Sequence, residues 1–164
     1  MGDAFSRDRP WREYAVVVLD VETTGLDPAA GDRVIELAAV RFGPSGEIEG
    51  SVVSRVDPGR PIPAEATEIN GITDAMVADA PKFAEPWARV LELFGESRSL
   101  AVACAYSAAF DRGFLRAEHV RAFPESLVPF GLRIQWLDPL VWIREIARYE
   151  KGQGRHNLGI ACER

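Results

Sequence analysis

Residues 14 to 19 form a nearly unbroken apolar run, Tyr14-Ala15-Val16-Val17-Val18-Leu19, the pattern of a strand buried on both faces. Thr23 to Pro28 then reads as a loop, broken by Gly25 and Pro28. From Val34 to Phe42, Ile35, Leu37 and Ala39 alternate with Glu36 and Ala38, which predicts a second strand. Gly43-Pro44-Ser45-Gly46 marks a turn into a third strand over roughly 48–56, so the first three strands read as an antiparallel meander. Pro58, Pro61 and Pro63 stiffen the next connection, and short helical pieces follow around 63–69 and 74–78. Phe83, Trp87, Val90, Leu91 and Phe94 have helical spacing. A fourth strand over 100–105 leads to a helix over 108–123, with Phe110, Phe114 and Ala117 on one stripe. A short fifth strand covers 134–137. Asp138 as N-cap and Pro139 at the first helical position then open a helix to about Tyr149. Lys151 to Arg155 reads as a basic loop and Asn157 as the cap of a last helix from Leu158. This order predicts an α/β fold: a mixed five-stranded sheet, meander first and crossover strands after, with helices on its faces.

The chain has 164 residues, 47% hydrophobic and 27% charged, which suits one domain over 14–164 behind a polar segment at 1–13. That segment carries both charge signs and lacks a signal-peptide pattern. The longest aliphatic run falls far short of the ~20 residues of a membrane span. The net charge of −6 argues against non-specific nucleic-acid binding but leaves room for a local site. All cationic side chains except Lys82 and Lys151 are arginine. Arginine suits bidentate phosphate contacts, and a composition bias accounts for it equally well. Cys104 and Cys162 sit in apolar surroundings without C-x-x-C spacing and read as buried free thiols, which suggests a reducing, cytoplasmic setting. A disulfide between them stays open.

The chemistry concentrates in Val18-Leu19-Asp20-Val21-Glu22-Thr23-Thr24-Gly25. Residues two apart on a strand share a face, so Asp20 and Glu22 project side by side from the end of the first strand. Two adjacent carboxylates repel, and a hard cation such as Mg²⁺ or Mn²⁺ relieves them. A solvated strand end fits the same pattern. Asp111 falls in the first turn of the helix over 108–123, where the helix dipole favours an ionised carboxylate. An ordinary helix N-terminal Asp fits there too.

Val18 to Pro28 (VLDVETTGLDP) resembles the first signature of the DEDD-type 3′–5′ exonucleases, the superfamily of the proofreading ε subunit of bacterial DNA polymerase III. Arg33 to Val40 (RVIELAAV) resembles its second strand, Ala66 to Thr73 (ATEINGIT) its substrate-side loop, and Ala108 to Leu115 (AAFDRGFL) its second signature. The resemblance runs from about Tyr14 to the last residue. It implies a ribonuclease H-like fold and two-metal hydrolysis that frees nucleoside 5′-monophosphates from a nucleic-acid 3′ end, single-stranded in preference. Asp20, Glu22 and Asp111 would be three of the four carboxylates holding two Mg²⁺ or Mn²⁺ ions. Thr23, Thr24, Gly25 and Leu26 match the segment that holds the terminal nucleotide. Phe110 matches a nearby aromatic, and its stripe with Phe114 reads equally as core. Asn70 stands where the family often has His and is kept as a substrate contact. Tyr106-Ser107 replaces a frequent His-Asn, so Ser107 reads as a substrate contact or as the cap of the following helix.

The family's third signature, His or Tyr followed five residues later by Asp, supplies the fourth carboxylate and the general base. Neither His119 nor His156 is followed by Asp at that distance. His119 reads as structural and His156 as a surface or capping residue, while Asp138 reads as an N-cap in preference to a metal ligand. Loss of a general base costs about 10²–10⁴-fold in rate. The expectation is therefore that the chain as given is nearly inactive and lacks its C-terminal helix or helices. The alternatives are a non-catalytic nucleic-acid-binding module and a polymerase-associated module with the same fold.

Overall fold

The computed structural model describes residues 10, 13–95, 101–125 and 134–146. Strands β1 (Ala15–Thr23), β2 (Val34–Phe42) and β3 (Ile48–Arg55) come first. Helices α1 (Ala64–Asn70), α2 (Asp74–Val77) and α3 (Ala84–Leu93) follow. The chain then alternates through β4 (Ala101–Cys104), α4 (Ala108–Ala122), β5 (Trp136–Leu137) and α5 (Pro139–Ile146). The sheet order is β3-β2-β1-β4-β5. The β1–β2 and β2–β3 pairs are antiparallel, and β4 runs parallel to both β1 and β5. This is the mixed sheet that the pattern predicts. The readings at Lys151–Arg155, His156, Asn157, Leu158 and Cys162 fall outside the described residues.

Helices α3 and α4 pack on one face of the sheet, α3 over β3 and β2, α4 over β1 and β2. Between them and the sheet lies the core of Val17, Leu19, Val21, Leu37, Trp87 and Phe114 with their neighbours. Fully burying such a side chain contributes roughly 1.5–3 kcal/mol. Trp87 is fully buried, and its Nε1–H donates to Nδ1 of the buried His119 at 3.0 Å, so His119 has a structural role. A smaller cluster of Ile35, Ile62, Ala66, Ile72 and Val77 seats α1 and α2. Gly71 ends α1 in the left-handed region (φ 73°), where its N–H reaches the Thr67 carbonyl at 2.8 Å.

Two expectations are corrected. β1 is not buried on both faces: Val17, Leu19 and Val21 point into the core, but Val18 is 39% exposed. β1 also runs beyond its apolar segment to Thr23. Its pairing with β4 covers only Ala15–Val18, whereas pairing with β2 continues through Asp20 and Glu22. The acidic end of β1 thus projects past β4, beside the start of α4.

Candidate active site

That projecting end of β1 has lost its neighbour on the β4 side, and α4 replaces it. The Val21 N–H donates to Oδ1 of Asp111 at 3.2 Å. This bond draws Asp111, only 3% exposed, in beside the strand. Asp20 and Glu22 lie on the opposite face of β1 from the core residues, Asp20 exposed and Glu22 half-buried. Asp20 acts electrostatically on both Glu22 and Asp111.

All three carboxyls hold their protons more tightly than usual. Burial pushes Asp111 up to about 7, with Asp20 adding to the rise. Its hydrogen bonds from Val21 and from its own backbone oppose this and lose. Burial also raises Asp20. Glu22 is raised by burial, then by Asp20 and Glu36, against the pull of Arg55. The helix-dipole expectation for Asp111 is therefore reversed: withdrawal from water outweighs the dipole. No ion pair to any of the three occurs among the described residues. Nor, among those residues, are three or more His, Cys, Asp or Glu gathered closely enough to hold an ion as they stand. The donor chemistry suits a hard divalent cation, which would draw the carboxylates together and neutralise their repulsion.

The connection from β1 to β2 is braced from within. Thr23 Oγ1–H donates to the Gly25 carbonyl at 2.6 Å. Thr24 Oγ1–H donates to Asp32 at 3.3 Å and accepts the Arg33 N–H at 3.0 Å. Both threonines are buried, so these hydroxyls shape the loop. A Cβ on Gly25 would collide with the Asp32 carboxylate, which explains the glycine. Leu26 is left 81% exposed at the tip. Asn70 spends its amide on the backbone, donating to the Thr23 carbonyl at 3.2 Å and accepting the Ile72 N–H at 2.9 Å. It ties the end of α1 to the end of β1.

At the head of α4, Phe110 is partly buried against Phe114, ring centroids 4.9 Å apart, and joins the core edge. Ser107 is exposed in the left-handed region (φ 63°) and its side chain caps nothing. The capping belongs to Asp138, which accepts the Ser107 and Ala108 N–H groups at 3.0 and 3.1 Å and that of Leu140 at 3.0 Å. One carboxylate thus serves the starts of both α4 and α5, in keeping with its N-cap reading.

Sequence reasoning missed Glu118, Arg33 and Asp32. Glu118 is 1% exposed and paired with Arg33. The available signal was spacing: Asp111, Leu115 and Glu118 recur at helical intervals, placing two carboxylates on the inward stripe of α4.

The exonuclease family model, RNase_T, matches residues 17–164. A DNA polymerase III subunit epsilon-like protein of Rhodobacter capsulatus is 42% identical over 120 residues, covering 73% of this chain and 16% of that protein. A PolC-type DNA polymerase III of Bacillus cereus is 35% identical over 153 residues, covering 93% and 10%. The chain therefore spans less than a fifth of either relative. Among solved structures, exonuclease X in complex with 5′ overhanging duplex DNA is 26% identical with a TM-score of 0.57, covering 83% of this chain and 66% of that one. The metal-free complex of E. coli exonuclease I with single-stranded DNA shares the fold, with a TM-score of 0.70 at 22% identity over 89% of this chain and 34% of that one.

Proposed function

Because the chain belongs to the exonuclease family, we propose that it is a divalent-metal-dependent 3′–5′ exonuclease releasing nucleoside 5′-monophosphates. One observation carries the reading. Asp20, Glu22 and Asp111 arrive from β1 and α4, burial raises the proton affinity of all three, Asp20 adds to that of the other two, and none is paired with a cation among the described residues. Carboxylates left in that state favour a bound cation of high charge density, and Mg²⁺ and Mn²⁺ take oxygen ligands. Two ions bound there would supply Lewis acidity to the scissile phosphate and the departing 3′ oxygen.

The chain's own residues hold and orient. The Val21 N–H fixes one Asp111 oxygen beside the end of β1. The loop from Thr23 to Leu26 offers backbone groups and one exposed leucine to the terminal nucleotide, with Asn70 bracing it from α1. The relatives in Rhodobacter and Bacillus are named as forms of DNA polymerase III, and the solved neighbours hold DNA. A single-stranded DNA 3′ end is the substrate this supports, and a polymerase the partner. The free Cys104 thiol suits a reducing, cytoplasmic setting.

The openness of the carboxylate group among the described residues favours a second reading, a non-catalytic nucleic-acid-binding module. Titrating Mn²⁺ into the wild type and Asp20→Ala separates the two. The exonuclease reading expects saturable binding by the wild type that Asp20→Ala abolishes. Binding by neither protein supports the module.

A further inference from the structure

We infer that Glu118 is a positioning residue that locks the loop carrying Leu26 to the helix carrying Asp111, and so sets where a 3′ end sits relative to the carboxylates. This rests on the exonuclease reading. Two carboxylates on one face of α4 each accept a main-chain N–H from the sheet. Asp111 takes that of Val21, just before the β1–β2 loop, and Glu118 takes that of Val34 (3.3 Å), just after it. The helix therefore grips the loop at both ends.

Glu118 binds the loop further through side chains. Arg33 donates Nε–H to Oε1 at 2.5 Å and Nη2–H to Oε2 at 3.0 Å, a two-pronged clasp. Arg121, one turn on, donates to Oε1 at 3.3 Å and through its other nitrogen to the Pro28 carbonyl at 2.7 Å. Arg33 in turn anchors Thr24, its carbonyl accepting the Thr24 N–H at 2.9 Å and its N–H donating to Oγ1. Three donors converge on Oε1 and one on Oε2, so both carboxylate oxygens are engaged. Stability is a poor reason for such a group, because a buried ion pair often breaks even with an apolar side chain of similar size. A fixed register between loop and helix is what the charged, forked geometry adds. An apolar residue would leave the loop free to slide.

The test compares internally labelled linear and circular single-stranded DNA by fluorescence anisotropy, with Mn²⁺ affinity measured alongside. Glu118→Gln sets an amide N–H₂ against the Arg33 guanidinium. Arg121→Gln, at a partly exposed position, removes the Pro28 tie and keeps the test valid if Glu118→Gln folds poorly. Each folded variant is expected to lose about tenfold in affinity for the linear strand, equivalent to ~1.4 kcal/mol. The preference for linear over circular DNA should collapse while Mn²⁺ affinity holds. An unchanged preference, or Mn²⁺ affinity falling in step, overturns the inference. A wild type that never prefers the linear strand overturns the 3′-end reading itself, and this inference with it.

Discussion

Replacing Asp111 with asparagine should stabilise the metal-free protein while disabling it. Burial and Asp20 lift the Asp111 carboxyl from 3.8 to about 7. The folded state therefore keeps this proton at pH values where the unfolded chain has lost it. The group's stabilising contribution is complete below about pH 3.8, shrinks as pH rises, and is gone above about 7. At pH 8 the folded protein carries the whole cost of the buried charge. At about 1.4 kcal/mol per pH unit, the interval from 3.8 to about 7 amounts to on the order of 4 kcal/mol. Asn keeps the oxygen that receives the Val21 N–H, so the substitution removes the charge and little else. Urea denaturation in EDTA checks this. The variant should exceed the wild type by up to ~4 kcal/mol at pH 8, by roughly 1.6 kcal/mol at pH 5, where the unfolded carboxyl has already ionised, and nearly match it only below about pH 3.8. Mn²⁺-dependent hydrolysis should fall at least about a hundredfold, equivalent to ~2.7 kcal/mol. A variant less stable than the wild type at pH 8, or a gain that ignores pH, would refute the reasoning.

Mn²⁺ should raise the stability of the wild type, by about 2.7 kcal/mol at a hundred times its Kd. The rise should be larger at pH 8 than at pH 5, because the ion needs deprotonated carboxylates; thermal melts at the two pH values check it. Gly25→Ala forces a methyl group into the Asp32 carboxylate, so binding of a single-stranded 3′ end in anisotropy should weaken. A wild-type affinity would show that the loop yields without consequence. Asp138→Ala leaves three backbone N–H groups at the starts of α4 and α5 without their acceptor. It should cost about 1–3 kcal/mol in urea denaturation. No loss would mean that water replaces the carboxylate.

The periodic parts of the fold were legible in the sequence. The alternation of Ile35, Leu37 and Ala39 marks β2 at its observed bounds, because one face of that strand is buried and the other is not. β1 reads short because its apolar run stops at Leu19, whereas hydrogen bonding to β2 carries it through two acidic residues to Thr23. That extension depends on a partner strand, which local hydrophobicity does not record. The position of Asp111 was legible from its motif, but its proton affinity was not. A helix dipole is visible in a sequence, and burial beside Val21 and Asp20 is not. Ser107 matches a capping position by residue type, yet its left-handed backbone hands the task to Asp138, which lies 31 residues on. Glu118 went unread for the same reason, since Arg33 lies 85 residues away in the chain.

The central claim is that Asp20, Glu22 and Asp111 serve a metal-dependent attack at a nucleic-acid 3′ end. The most direct measurement incubates 3′-labelled single-stranded DNA with the wild type and with Asp20→Ala in Mn²⁺ and in EDTA, and identifies the products by mass. The account predicts slow release of labelled nucleoside 5′-monophosphate by the wild type in Mn²⁺ alone, and none by Asp20→Ala. Release that persists in EDTA or in Asp20→Ala, or internal fragments in place of mononucleotides, would contradict it.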